Sequence, residues 1–162
     1  MIAITGATGH LGQLVIEKLL TSVNPQEIVA IVRNPAKAQA LSDKGVLVRS
    51  GDYNDSAALA LALQGVEKLL LISSSEVGQR TSQHRNVIEA AKAASVKLIA
   101  YTSLLHADTS PLGLAAEHVE TEAMLAASGI PTVLLRNGWY TENSLASVPP
   151  ALEHGVFIGS AG

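Results

Sequence analysis

Short β-branched or leucine-rich runs alternate along this chain with longer Ala/Leu-rich stretches whose apolar residues recur at helical spacing. That alternation predicts an α/β architecture, a parallel sheet wrapped by crossover helices. Six strands are expected, over residues 2–5, 27–32, 46–49, 68–73, 97–102 and 132–136. Each is nearly continuously apolar, as strands covered on both faces are. Leu11, Leu14, Val15 and Leu19 mark the inward stripe of a first helix, and Val87, Ile88 and Ala91 that of a fourth. Asn34 before Pro35 reads as the cap and first position of the second helix. Asp55 caps a third, which stops at Gly65, and the fifth ends at Gly129 ahead of Pro131. Past about residue 137 the alternation stops, residues 147–150 read as loop, and nothing is expected to cover the Val156, Phe157, Ile158 run. Residues 1–137 are therefore expected to form one doubly wound domain, and a different region begins at residue 138.

A length of 162 residues fits a single core. With 48% hydrophobic and only 15% charged residues, 11 basic against 14 acidic, the chain is neither disordered nor a polybasic nucleic-acid binder. Aromatic residues at 3% cannot interleave with Arg and Lys to stack single-stranded bases. The absence of cysteine rules out disulfides, thiolate zinc sites, iron–sulfur clusters and a cysteine nucleophile, so any redox chemistry must come from a cofactor. The first basic residue is Lys18 and no apolar run approaches the length of a membrane span. The chain reads as soluble and cytoplasmic, with small-molecule or protein partners rather than nucleic acid or membrane.

The first strand runs through Thr5-Gly6-Ala7-Thr8-Gly9-His10-Leu11-Gly12 into an amphipathic helix. This is a phosphate-cradling turn: Gly6 permits a sharp exit from the strand, Gly9 lets a pyrophosphate approach the backbone, and Gly12 lets the helix pack closely. The helix N-terminus supplies free N–H groups and a partial positive charge. Its setting, strand before and helix after, makes it a dinucleotide site in a Rossmann-type doubly wound sheet. Arg33 ends the second strand, 21 residues after Gly12. An NAD site would place an acid there for the ribose 2′-hydroxyl, whereas a guanidinium suits the 2′-phosphate of NADP(H). Lys37, one turn on, either adds a second positive charge or is an ordinary solvated lysine. Ser73, Ser74 and Ser75 leave the fourth strand beside the crevice where such sheets bind ligands, and can hydrogen-bond the cofactor's ribose.

The Gly-x-x-Gly-x-x-Gly spacing resembles the short-chain dehydrogenase/reductase superfamily. Ala30-Ile31-Val32-Arg33-Asn34-Pro35, Gly51-Asp52-Tyr53 and Leu134-Leu135-Arg136-Asn137-Gly138-Trp139-Tyr140 resemble its NmrA-like atypical branch. With Ser73-Ser74-Ser75-Glu76 and Tyr101-Thr102-Ser103, they resemble the quinone-reducing bacterial members of that branch. The resemblance implies that Asp52 and Tyr53 meet the adenine end, and that Asn137, Gly138, Trp139 and Tyr140 surround the nicotinamide. It implies catalytic contributions from Asn137 and Ser103, the latter where the superfamily places its substrate-polarising serine, and it implies that residues 138–162 start a substrate-binding region that continues beyond Gly162. The superfamily's Tyr-x-x-x-Lys pair is replaced by His118-Val119-Glu120-Thr121-Glu122, so its usual alcohol dehydrogenation is not expected. His118 and Glu122 could form an acid/base couple or a metal pair, but an ordinary helix pair is the simpler reading. His10, His84, His106 and His154 show no ligand spacing, and no metal is expected. The implied activity is hydride transfer from NADPH to a quinone. An NADP(H)-sensing regulator without turnover is the alternative; a sugar-nucleotide epimerase suffers most from the missing tyrosine.

Overall fold

A computed structural model describes residues 1–156. Its six strands are β1 (Ile2–Thr5), β2 (Ile28–Val32), β3 (Leu47–Ser50), β4 (Lys68–Leu71), β5 (Leu98–Leu104) and β6 (Thr132–Asn137). Helices α1 (His10–Leu19), α2 (Gln39–Asp43), α3 (Ser56–Ala62), α4 (Arg80–Ala93) and α5 (Ala115–Ala127) connect them, and α6 (Thr141–Leu145) and α7 (Val148–His154) follow. All neighbouring strands are parallel, in the order β3-β2-β1-β4-β5-β6, which is the Rossmann order. The chain starts in the middle, builds outward to β3, then crosses back past β1. The C-terminal ends of β1 and β4 therefore flank the point where the winding reverses.

Strand alternation divides the interior into two cores. Ala3, Val29, Ile31, Leu69, Leu71, Ile99 and Tyr101 face Leu59, Val87, Ile88 and Leu125 of α3, α4 and α5. Ile4, Ile28, Ala30 and Val32 face Ile16 and Leu41 of α1 and α2. Asp55 caps α3 as expected, its Oδ1 accepting from the Ala58 N–H; Asn34 Oδ1 accepts from the Ala36 N–H but caps a short 3-10 turn, Pro35–Ala38, and α2 follows it from Gln39 without a side-chain cap.

Three expectations are corrected. Leu14 is 48% exposed, because the inward stripe of α1 is Gly12 and Ile16, and Leu14 lies on the far side at 3.6 residues per turn. The fourth strand stops at Leu71 rather than 73, because the N–H groups of Ile72 and Ser73 turn from the ladder to the side-chain oxygens of Thr5 and Thr102. Residues 148–150, expected as loop, begin α7; Pro149 and Pro150 fall in its first turn, where a missing N–H costs no helical bond. Phe157 and Ile158 of the terminal apolar run lie outside the described residues. Among the described residues no helix is long and apolar enough to cross a membrane.

Candidate cofactor-binding site

The turn after β1 has the geometry its glycines suggest. Gly6 sits at φ +60°, in the left-handed region. A Cβ on Gly12 would stand 2.4 Å from the Gly6 carbonyl oxygen, so α1 can start this close to the strand only with glycine there. Gly9 occupies the N-cap position of α1 without a side-chain cap, and no acid lies in the first turn. The leading N–H groups of a ten-residue helix thus point out of the protein with the positive end of its dipole, a setting for an anion.

This turn forms one wall of an open cleft of about 480 Å³ at the C-terminal edge of β1, β2 and β4. Gly6, Thr8 and Gly9 line it with Arg33, Lys37, Asp52, Tyr53, Ser73, Ser74 and Ser75. Those ten expected residues are brought together. Ala7 and Gly12 are buried beneath the turn, Leu11 is half-buried, and His10 is exposed, 3.4 Å from Glu142 of α6. Asn137, Gly138, Trp139 and Tyr140 are not in the lining. Asn137 ends β6 and the other three follow it, two strands from β4 and so roughly 10 Å along the sheet, with Trp139 78% exposed.

The serine segment beyond β4 is held at nearly every backbone group. Thr5 Oγ1 accepts from the Ile72 N–H, and the Tyr53 hydroxyl donates to the Ile72 carbonyl at 2.7 Å. Thr102 Oγ1 accepts from the Ser73 N–H, and His84 Nε2 from the Ser74 N–H, at 2.8 and 2.9 Å. Arg80 Nε donates to the Ser74 carbonyl at 2.6 Å while its Nη1 pairs with Glu117 at 3.0 Å. His84 accepts through Nε2, so its Nδ1–H donates to Thr121, whose hydroxyl donates on to the Glu117 carbonyl. Burial first, then Arg80 and His118, pushes the His84 pKa down to about 3 and keeps the ring neutral. Burial likewise raises the Tyr53 hydroxyl above its ordinary value, so it remains a donor.

Sequence reasoning missed Arg80, Gln83 and His84. Counting back one and two turns from Val87 and Ile88 places all three on the inward stripe of α4, and polar residues on such a stripe are the signal. Glu76, Asn34, Gly51 and Gln83 also line the cleft and were not singled out.

A second polar cluster lies between β5 and α5. His118 and Glu122 do not work as a couple. Tyr101 and His118 Nδ1 share a 2.6 Å hydrogen bond, with burial lowering His118 to about 4 and raising the Tyr101 hydroxyl. Glu122 accepts from Ser103 Oγ at 2.5 Å and takes two bonds from Arg136 at 3.0 and 2.6 Å, which hold its carboxyl below the usual range. The proton Ser103 would offer to a substrate carbonyl is committed to Glu122, and Ser103 does not line the cleft. Among the described residues no group of three or more His, Asp or Glu side chains is arranged to hold a metal ion.

Residues 6–156 match the model of a family described as NAD(P)H-binding. The chain belongs to that family. Quinone oxidoreductase 2 of Escherichia coli strain K12 is 76% identical over the whole chain, which covers 57% of that protein. A crystal structure of the E. coli NADPH-dependent quinone oxidoreductase QOR2 complexed with NADPH superposes with a TM-score of 0.95 at 76% identity, covering 100% of this chain and 57% of the other. The Citrobacter sp. triphenylmethane reductase complexed with NADP(H) gives a TM-score of 0.92 at 44% identity, covering 94% and 55%. The chain thus spans a little over half the length of these NAD(P)H-binding relatives. Its cleft brings together an uncapped helix end, polar walls and two cationic side chains, Arg33 and Lys37.

Proposed function

We propose that this chain carries the NADPH-binding part of a quinone reductase. The observation that carries the reading is Arg33, directly after β2, lining the same cleft as Lys37 and the glycine turn. A cation pair there suits a 2′-phosphate, for which an NAD-selective site has no use. The E. coli relative described as an NADPH-dependent quinone oxidoreductase supports the substrate class.

Bound NADPH would supply a hydride to the quinone. The work of the protein is then orientation. The turn from Gly6 to Gly12 holds the pyrophosphate, Asp52 and Tyr53 meet the adenosine, and Ser73, Ser74 and Ser75 fix the ribose from a segment that five side chains hold in place. Asn137 to Tyr140 would border the nicotinamide, with Asn137 as a polar contact. A quinone is strongly electrophilic and its reduced oxygen is a stabilised phenolate, so no Tyr/Lys pair is required, and proximity supplies most of the acceleration.

NADPH absorbance followed with and without a quinone tests this. Quinone-dependent loss of absorbance is expected, and Arg33→Ala should weaken NADPH by roughly 1.5–3 kcal/mol, the range for hydrogen bonds to charged groups, with little change for NADH. Tight NADPH binding with no quinone-dependent oxidation would instead favour a sensor of the dinucleotide. Equal losses for both dinucleotides would remove Arg33 from the 2′-phosphate.

A further inference from the structure

Arg33 is not free in the cleft. Its Nη1 lies 3.1 Å from Oε1 of Glu76, which stands on the opposite lip, 43 residues along the chain. Glu76 is held there from behind. Its Oε2 accepts from Gln83 Nε2 at 2.9 Å, and its own N–H donates to Ser74 Oγ at 3.1 Å. A carboxylate is thus fixed across the cleft from the guanidinium that the proposed function assigns to the 2′-phosphate.

Two like charges cannot share that guanidinium without cost. A phosphate placed on Arg33 would bring its negative charge beside the Glu76 carboxylate, so the incoming group must displace one anion to install another. NADH, with a neutral 2′-hydroxyl, imposes no such exchange. We infer that Glu76 is a specificity-determining residue: it pairs with Arg33 as a latch across the cleft and opposes the 2′-phosphate, lowering the margin by which NADPH is preferred to NADH. The inference rests on the NADPH reading of the same cleft.

Gln83, which holds Glu76 through its Nε2, is only 2% exposed, so the carboxylate is anchored to the protein interior. Arg33 and Glu76 are themselves 71% and 40% exposed on their side chains, where ion pairs are weak enough for a ligand to displace.

Dissociation constants for NADPH and NADH, measured by fluorescence titration on the parent chain, Glu76→Gln, Glu76→Ala, and each combined with Arg33→Ala, test the inference. Removing the carboxylate should tighten NADPH roughly 2- to 5-fold, the worth of an exposed ion pair, and leave NADH nearly unchanged. With Arg33 also replaced, the gain should vanish, which a merely structural role for Glu76 would not produce. Unchanged or weaker NADPH binding in both Glu76 variants overturns the inference, as does an equal gain for NADH. A parent chain that binds neither dinucleotide overturns the NADPH reading itself, and the inference falls with it; a parent that binds NADPH while the variants fail to tighten it overturns the latch alone.

Discussion

The two sides of the sheet differ in how completely their apolar surface is covered. Every residue of β2 is buried, and so are Ala3, Ile4 and Thr5 of β1, between α1 and α2 on one face and α3, α4 and α5 on the other. β6 also has an apolar run, yet its Val133, Leu134 and Leu135 are 46%, 38% and 40% exposed. In the helices after it, Leu145, Val148 and Leu152 are exposed as well. At the cofactor cleft β1 and β2 are covered by helices on both faces. Around β6 these apolar side chains are left uncovered. The difference separates binding from reaction: the groups proposed to hold the dinucleotide lie on the covered side, whereas Asn137 to Tyr140, proposed for the nicotinamide and quinone, lie on the uncovered one.

The largest effect expected on the covered side comes from Arg80. Its side chain is 7% exposed, pairs with Glu117 and donates to the Ser74 carbonyl. Arg80→Ala would leave the Glu117 carboxylate, 15% exposed, facing no cation and the Ser74 carbonyl without that donor. Breaking a buried pair from one side costs about 3–5 kcal/mol, which urea unfolding would read directly. A loss under about 1 kcal/mol would mean that α4 does not hold the serine segment, and that the cleft is less firmly built than its hydrogen bonds suggest.

Acid should attack the same region. His84 and His118 titrate near 3 and 4 in the folded chain, mainly through burial, against an ordinary 6.5. Below pH 6.5 the unfolded chain therefore binds protons that the folded chain refuses. Stability is fully present above pH 6.5 and falls as the pH drops, by about 1.4 kcal/mol per unit for each histidine, until the folded pKa is reached. Urea unfolding at pH 6.5, 6 and 5 samples the upper part of this window, above the range where carboxylates titrate. His84→Asn should remove about half of the slope. A flat profile between pH 6.5 and 5 would show that neither ring is kept neutral by the fold.

What could be read in advance follows the same division. Runs of apolar and β-branched residues bounded by glycine, Asn-Pro and Asp punctuation are local signals, so β1 to β6, the turn and the caps at Asn34 and Asp55 are legible in the sequence, whereas the expectation that every strand is covered on both faces fails at the sheet edges β3 and β6. Arg33 was legible because its place, at the end of the second strand, follows from strand order. Its partner Glu76 was not: that pairing depends on how the segment after β4 folds back, which no local pattern records. Arg80 and His84 escaped notice because charged and polar residues are taken for surface by default. The misreading at Leu14 arose in choosing between two stripes of one helix, since apolar residues occur on both. Pro149 and Pro150 read as loop only if the first turn of a helix is forgotten.

The smallest effect is the most direct test of the contrast. Leu71 of β4 is fully buried, whereas Leu152 of α7 is 81% exposed. Truncating each to alanine removes the same atoms, so the chemistry is held constant and only the surroundings differ. Leu71→Ala should cost about 2–5 kcal/mol through lost burial and the cavity left behind. Leu152→Ala should fall within about 0.5 kcal/mol of the parent, as surface substitutions do. The difference in urea unfolding free energy between the two variants is thus a measure of how uneven the covering is. If Leu152→Ala costs more than about 1 kcal/mol, α7 is buried against something in solution, and repeating the measurement across protein concentrations identifies a second copy as the cover when the cost grows with concentration. A cost that stays near zero at every concentration leaves the surface around α7 open.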